Sequence, residues 1–130
     1  MANKFHFEMI TPDGKKIEDD IEILNVVTSS GALGVMAHHI PLIAIVEISH
    51  LNYKKDGKSY DFAIAGGVLN VKKEGVTLLA DGFETKEEID VERATRAKER
   101  AEERLSSKQE NIDYKRAEIA LKKAINRLSI

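Results

Sequence analysis

The chain opens on an alternation. Phe5, Phe7 and Met9 interleave with His6 and Glu8, the period of two expected when one face of a strand is buried. Thr11-Pro12-Asp13-Gly14 then reads as a turn, with proline presetting φ and glycine free to take a positive one. A second apolar run through Ile21, Ile23, Leu24, Val26 and Val27 stops at Thr28-Ser29-Ser30-Gly31. Further on, Leu51-Asn52-Tyr53-Lys54 and Ser59-Tyr60-Asp61-Phe62 flank Lys55-Asp56-Gly57-Lys58, whose Asp-Gly pair suits a hairpin turn with positive φ at both central positions. Val68-Leu69-Asn70-Val71 and Val76-Thr77-Leu78-Leu79-Ala80 flank Lys72-Lys73-Glu74-Gly75 in the same way. Short strands at intervals of roughly ten residues predict an antiparallel β-sandwich of about ten short strands over residues 1–85.

Past Thr85 the period lengthens, and neither glycine nor proline occurs from Lys86 to Ile130. Val91, Ala94, Ala97 or Lys98, Ala101 and Leu105 fall three and four apart, on one stripe of a helix. Tyr114, Ala117, Leu121, Ala124 and Leu128 repeat the spacing, and Ser106-Ser107 with Asn111 supply the break between the two runs. Residues 86–130 are therefore predicted to form an antiparallel two-helix hairpin, giving a β + α architecture. The seam is rich in alanine, which lets helices approach closely but removes little apolar area from water. Short helices are marginal alone, so the hairpin is expected to detach more easily than the sandwich unfolds.

Composition narrows the chemistry. There is no cysteine among 130 residues, which rules out disulfides, thiolate nucleophiles and cysteine-ligated metals. The longest apolar stretch, Ile40 to Val46, is strand-sized and far short of the ~20 residues that span a bilayer, and the first residues lack the marks of a signal or transit peptide. These features predict a cytosolic protein. Residues 1–85 carry 8 basic and 12 acidic side chains and residues 86–130 carry 12 and 10. The acids interleaved with the bases, and an aromatic content of 5%, argue against nucleic-acid binding. Glu8, Asp19, Asp20 and the histidines assemble no nucleophile, base and oxyanion site. His38 and His39 lack a carboxylate at ligand spacing and read as a polar loop, so no metal site is assigned.

Four strings in order carry a resemblance: Thr11-Pro12-Asp13-Gly14; Gly31-Ala32-Leu33-Gly34-Val35 leading to His39-Ile40-Pro41-Leu42; Ala65-Gly66-Gly67-Val68-Leu69-Asn70-Val71; and Val76-Thr77-Leu78-Leu79-Ala80-Asp81. With two helices after them, the chain resembles the epsilon subunits of bacterial F-type ATP synthases over nearly its whole length. Met36-Ala37-His38-His39 departs from the Leu-Pro-Gly-His common in that family. The resemblance implies a non-catalytic rotor subunit at the cytoplasmic face of the bacterial cell membrane, peripheral and touching the membrane only through its complex. Residues 1–85 would bind the gamma subunit and the c-ring, with the Gly31–Pro41 loop near the ring. Residues 86–130 would be regulatory, reaching the catalytic alpha and beta subunits when extended and so inhibiting ATP hydrolysis.

Ile89-Asp90-Val91-Glu92-Arg93-Ala94 matches the Ile-Asp-x-x-Arg-Ala motif that binds ATP in similar epsilon subunits. The implied ATP-binding residues are Glu84, Ile89, Asp90, Arg93, Ala94, Arg116, Lys123 and Arg127, with Glu84 near the adenine. The residue types fit: Asp90 and Arg93 sit three apart at a helix start, and Arg116, Lys123 and Arg127 recur at seven and four on the second helix. Arginine suits bidentate phosphate contacts and lysine acts as a point charge. A plainer reading stands beside it, in which Asp90 is an N-cap and the bases pair with Glu99, Glu102, Glu103 and Glu118. No Gly-x-x-x-x-Gly-Lys-Ser/Thr loop is present, so ATP is expected as a regulatory ligand and no cofactor is required. The alternative function is a free-standing nucleotide-sensing adaptor.

Overall fold

The computed structural model describes residues 3–106 and 113–130. Strands β1 (Phe5–Thr11), β2 (Gly14–Ile21), β3 (Ile23–Thr28), β4 (Gly31–Met36), β5 (Leu42–Lys55), β6 (Lys58–Lys72), β7 (Gly75–Ala80) and β8 (Phe83–Thr85) precede helices α1 (Val91–Ser106) and α2 (Tyr114–Leu128). The predicted turns between strands are built by a repeated device. Thr11 Oγ1 donates to the Gly14 carbonyl at 3.3 Å and accepts from the Asp13 N–H; Thr28 does the same toward Gly31, at 2.8 Å, and Ser30. Asp56 and Gly57 both take positive φ, 50° and 77°, as a tight hairpin turn demands.

Two expectations need correction. Eight strands form, against about ten short ones, because β5 and β6 run for 14 and 15 residues. Ala63, Ala65, Gly66 and Gly67 give no bulky alternation and so read as an interruption, yet the β5–β6 ladder continues from Leu42↔Val71 to Lys55↔Lys58. The sheet is also mixed. Strand order is β2-β1-β7-β6-β5-β3-β4, with β8 on β6, and β7 enters between β6 and β1. It runs antiparallel to β6, which leaves it parallel to β1, from Phe7↔Val76 to Ile10↔Leu79.

Phe7, Met9, Ile21, Leu24, Val35, Leu51, Ile64, Leu69 and Leu78, drawn from seven of the strands, are fully buried in one core. An aromatic chain crosses it: Phe7 to Tyr53 at 6.1 Å, Tyr53 to Phe62 at 5.8 Å, Phe62 to Phe83 at 5.1 Å between centroids. Such tilted and offset pairs add to the area they bury. This chain anchors β8, a strand of only three residues, to the body. Gly67 is required where β6 passes β7, since a Cβ there would lie 2.2 Å from the Leu79 carbonyl oxygen.

The helices meet along alanines. Ala94 and Ala101 of α1 and Ala117 and Ala124 of α2 are buried, seven apart in each helix, as the stripe predicts. Val91 and Tyr114, placed on the same stripes, are exposed at the helix starts. α1 ends at Ser106; Ser107 and Asn111 of the expected break lie outside the described residues. Among the described residues no helix is long and apolar enough to cross a membrane.

Candidate functional site

β8 carries the first site residue. Its ladder with β6 pairs Ile64 with Phe83 and Ala63 with Glu84, so packing half-buried Phe83 against the core turns Glu84 to the opposite face, under the helices. Asp90 comes next and starts α1. Its Oδ1 accepts the Arg93 N–H at 3.0 Å and its carbonyl accepts the Ala94 N–H at 2.9 Å, so the capping role foreseen for it is in place. Ile89 is buried just before the cap. Arg93 and Ala94 follow in the first turn of α1, and Ala97 and Arg100 extend the same face.

α2 closes the site from its far end. Arg127 Nε donates to Glu84 Oε1 at 2.6 Å, and a guanidinium has further N–H donors beyond this one. The outcome is a cleft of about 370 Å³ lined by Glu84, Glu88, Asp90, Arg93, Ala94, Ala97, Arg100 and Arg127. The start of α1 meeting the end of α2 makes the hairpin antiparallel. Of the eight predicted residues, Glu84, Asp90, Arg93, Ala94 and Arg127 surround this cleft. Lys123, one turn before Arg127, lines an adjoining pocket with Glu84 and Asn126. Arg116 sits in the first turn of α2, where its N–H donates to the capping Asp113 carboxylate at 3.0 Å; it lies eleven residues, or about 16 Å of helix, from Arg127.

Arg100 was not among the sequence candidates. It repeats Arg93 at a spacing of seven on the face of α1 that Ala94 and Ala101 turn toward α2, and that spacing was the available sign. The cleft thus offers three guanidiniums and three carboxylates, with Arg127 already spent in part on Glu84. Such a lining suits a ligand with both an anionic part and hydrogen-bond donors.

Helix α2 is also clasped to the sandwich. Asn126 Nδ2 donates to the Ser49 carbonyl at 2.8 Å and more weakly to that of Ile64 at 3.4 Å. His50 Nε2 lies 3.0 Å from the Asn126 carbonyl and 3.1 Å from Ser129 Oγ, which places a proton on Nε2 to donate to that carbonyl. On the sandwich itself, Ile45, Val68 and Leu79 are successive cross-strand neighbours and are 62%, 41% and 54% exposed. Ile43, 73% exposed, extends this apolar face along β5. At the β4–β5 turn His38 holds a positive φ of 67°, and Met36 and Ile40 stand exposed around it.

Comparison with known proteins covers the entire chain. The family described as ATP synthase, Delta/Epsilon chain, beta-sandwich domain matches residues 4–86, and that described as ATP synthase, Delta/Epsilon chain, long alpha-helix domain matches residues 87–130. The chain is 47% identical over 127 residues to the ATP synthase epsilon chain of Halalkalibacterium halodurans, covering 96% of this chain and 95% of that one. It is 44% identical over 131 residues to that of Caldanaerobacter subterraneus subsp. tengcongensis, covering 100% and 95%. Its fold is similar to a chain in the Euglena gracilis mitochondrial ATP synthase, OSCP/F1/c-ring in rotational state 1, with a TM-score of 0.86 at 23% identity, covering 99% of this chain and 81% of that chain. A chain of the Tetrahymena thermophila mitochondrial ATP synthase central stalk/c-ring gives a TM-score of 0.63 at 14% identity, covering 98% and 93%.

Proposed function

The chain belongs to the ATP synthase epsilon family, and from that premise we propose that its helices form a nucleotide-controlled brake on the rotor. As an epsilon subunit it is a non-catalytic part of the central stalk of an F-type ATP synthase. The brake reading rests on one observation: the sandwich contributes Glu84, α1 contributes Asp90 and Arg93, and α2 contributes Arg127 to a single cleft. A ligand seated there touches three elements at once and exists only while the helices are folded down. ATP would set its phosphates against Arg93, Arg100 and Arg127, stabilising that arrangement by RT ln(1 + [L]/Kd), about 1.4 kcal/mol at ten times Kd. Low ATP would release the hairpin to extend, bringing the bases of α2 against acidic surfaces of the alpha and beta subunits and slowing hydrolysis.

The apolar face of Ile43, Ile45, Val68 and Leu79 supports docking of the sandwich on the gamma subunit, since large exposed apolar patches mark interaction surfaces. Met36 and Ile40, exposed on the β4–β5 turn, suit contact with the c-ring, so the subunit sits peripherally at the cytoplasmic face of the membrane. Calorimetric titration of the isolated chain with ATP tests the regulatory half. One saturable site is expected, weakened at least tenfold by Arg93→Ala and by Arg127→Ala. Absence of binding at millimolar ATP would refute it. Raised ATP hydrolysis in a complex whose epsilon chain lacks residues 86–130 tests the brake.

A further inference from the structure

The outer face of the β1–β2 hairpin gathers a group of polar side chains far in sequence from the cleft. Register sets His6 opposite Asp20 and Glu8 opposite Glu18, on the solvent side because Phe7 and Met9 fill the core. Two carboxylates directly across a strand pair repel, so this arrangement calls for a cation between them. Lys15 meets part of that need, with Nζ 2.7 Å from Glu18 Oε2 and 3.7 Å from Glu8 Oε2. It thereby holds the Oε2 atoms. The Oε1 atoms of Glu8 and Glu18 both converge on His6 Nε2, each at 3.2 Å.

We propose that His6 Nε2, Glu8 Oε1 and Glu18 Oε1 are three corners of an exchangeable tetrahedral site for a zinc-class divalent ion. Zinc bonds nitrogen and carboxylate oxygen at about 2.0–2.1 Å, which sets tetrahedral corners about 3.3–3.4 Å apart, and the two 3.2 Å separations come close to that spacing. The three donors lie within 4.8 Å of one another. Imidazole among the ligands favours zinc-class ions over magnesium or calcium, which take oxygen. The remaining ring nitrogen is served as well: His6 Nδ1 is 3.1 Å from Asp20 Oδ1. A carboxylate accepting from Nδ1–H fixes the tautomer that presents the Nε2 lone pair to a metal.

The charges also balance. With His6 neutral, Glu8, Glu18, Asp20 and Lys15 sum to two negative charges, matching a divalent ion. Lys15 is the fixed cation of the cluster, and a proton carried on Nε2 leaves when the metal binds. The side chains of His6, Glu8 and Glu18 are 42%, 28% and 45% exposed, which leaves the fourth corner open to water and the ion free to exchange. Such an ion would pin edge strand β2 to β1. The ATP cleft shares no residue with this site, so neither proposal depends on the other.

The test titrates the untagged full chain, stripped with EDTA, with zinc chloride by calorimetry at pH 7, alongside thermal melts. A saturable one-to-one transition and a raised melting temperature are expected. His6→Ala should weaken binding at least tenfold. Asp20→Asn, acting through the histidine, should weaken it about 10–100-fold. The double variant His38→Ala/His39→Ala should bind as the parent does. If His6→Ala folds poorly, Glu18→Gln on the exposed edge strand gives the same reading, and cobalt(II) reports the geometry through its tetrahedral visible absorption. The proposal is overturned by lack of saturable binding, by binding that survives His6→Ala or Glu18→Gln, or by loss of binding in the His38/His39 variant.

Discussion

Asn126→Ala should release the helical hairpin from the sandwich without loosening the sandwich itself. The amide of Asn126 makes one good bond to the Ser49 carbonyl, 2.8 Å, and one poor bond to Ile64, 3.4 Å. A hydrogen bond contributes about 0.5–1.5 kcal/mol net, so their loss should cost about 1–1.5 kcal/mol of docking. That shifts the equilibrium between docked and detached hairpin roughly tenfold. The Arg127–Glu84 pair does not compensate, because its side chains are 36% and 30% exposed and such partly solvated pairs contribute less than about 1 kcal/mol. Native-state hydrogen exchange reads this directly. Amides of α2 should exchange about tenfold faster in the variant, those of β5, β6 and β7 should be unchanged, and Lys115→Ala, on the exposed start of α2, should have no effect. Equal protection of α2 and the core strands, in parent and variant alike, would mean that hairpin and sandwich open only together, and the reasoning would fail.

Three further outcomes follow from single positions. Gly67→Ala places a Cβ 2.2 Å from a main-chain oxygen that has no side chain to swing aside, so chemical denaturation should show a loss of about 1–3 kcal/mol. His38→Gly removes a side chain from a left-handed backbone position and should raise stability by up to about 1 kcal/mol, the relieved strain exceeding the added chain entropy; a lowered denaturation midpoint would contradict this. Asp19 titrates below the usual carboxylate range, first because it accepts from Lys55 Nζ at 2.6 Å. A depressed carboxylate contributes stability that is fully present above its unfolded pKa of about 3.9 and is lost as pH falls through the folded value. Lys55→Met should therefore return the Asp19 NMR titration to the ordinary range and flatten the acid limb of the stability curve, leaving stability above pH 5 without slope from this pair.

The parts legible in the sequence were those set by local pattern. Alternation from Phe5 to Met9 found β1, the Asp56-Gly57 pair found a turn with two positive φ values, and the spacing of Ala94, Ala101, Ala117 and Ala124 found the seam. Asp90 was legible as an N-cap because a helix start follows it, while its place with Arg93 in a ligand site is what the family motif implies. Pairings distant in sequence escaped. The parallel alignment of β1 with β7 depends on where β6 returns, and no residue in either strand announces it. The strand starting at Leu42 shows a subtler reason. Leu42, Ala44 and Val46 face the body and Ile43 and Ile45 face out, so the bulkier residues of this alternation are the exposed ones and pattern alone assigns the wrong face. His6, Glu8 and Glu18 become neighbours only once the hairpin register is known, and Arg100 joins the cleft only once α1 is rotated by its alanines.

The energetic contrast between the two parts bears on what a ligand in the cleft can accomplish. The sandwich buries nine large side chains completely, whereas the helices bury four alanines between them and reach the body through Asn126, His50, Ser129 and Arg127. Each fully buried leucine or phenylalanine contributes about 1.5–3 kcal/mol, so the body gains from many such terms and the hairpin from a few hydrogen bonds of about 1 kcal/mol each. A ligand can shift an equilibrium only by its differential affinity for the two states. Against the sandwich core, the 1–3 kcal/mol available from a site occupied at ten to a hundred times its dissociation constant leaves the population folded as before. Against a hairpin held by a few weak polar contacts, the same energy decides the population. Placing the cleft where β8, α1 and α2 converge therefore puts ligand energy on a junction weak enough to respond to it.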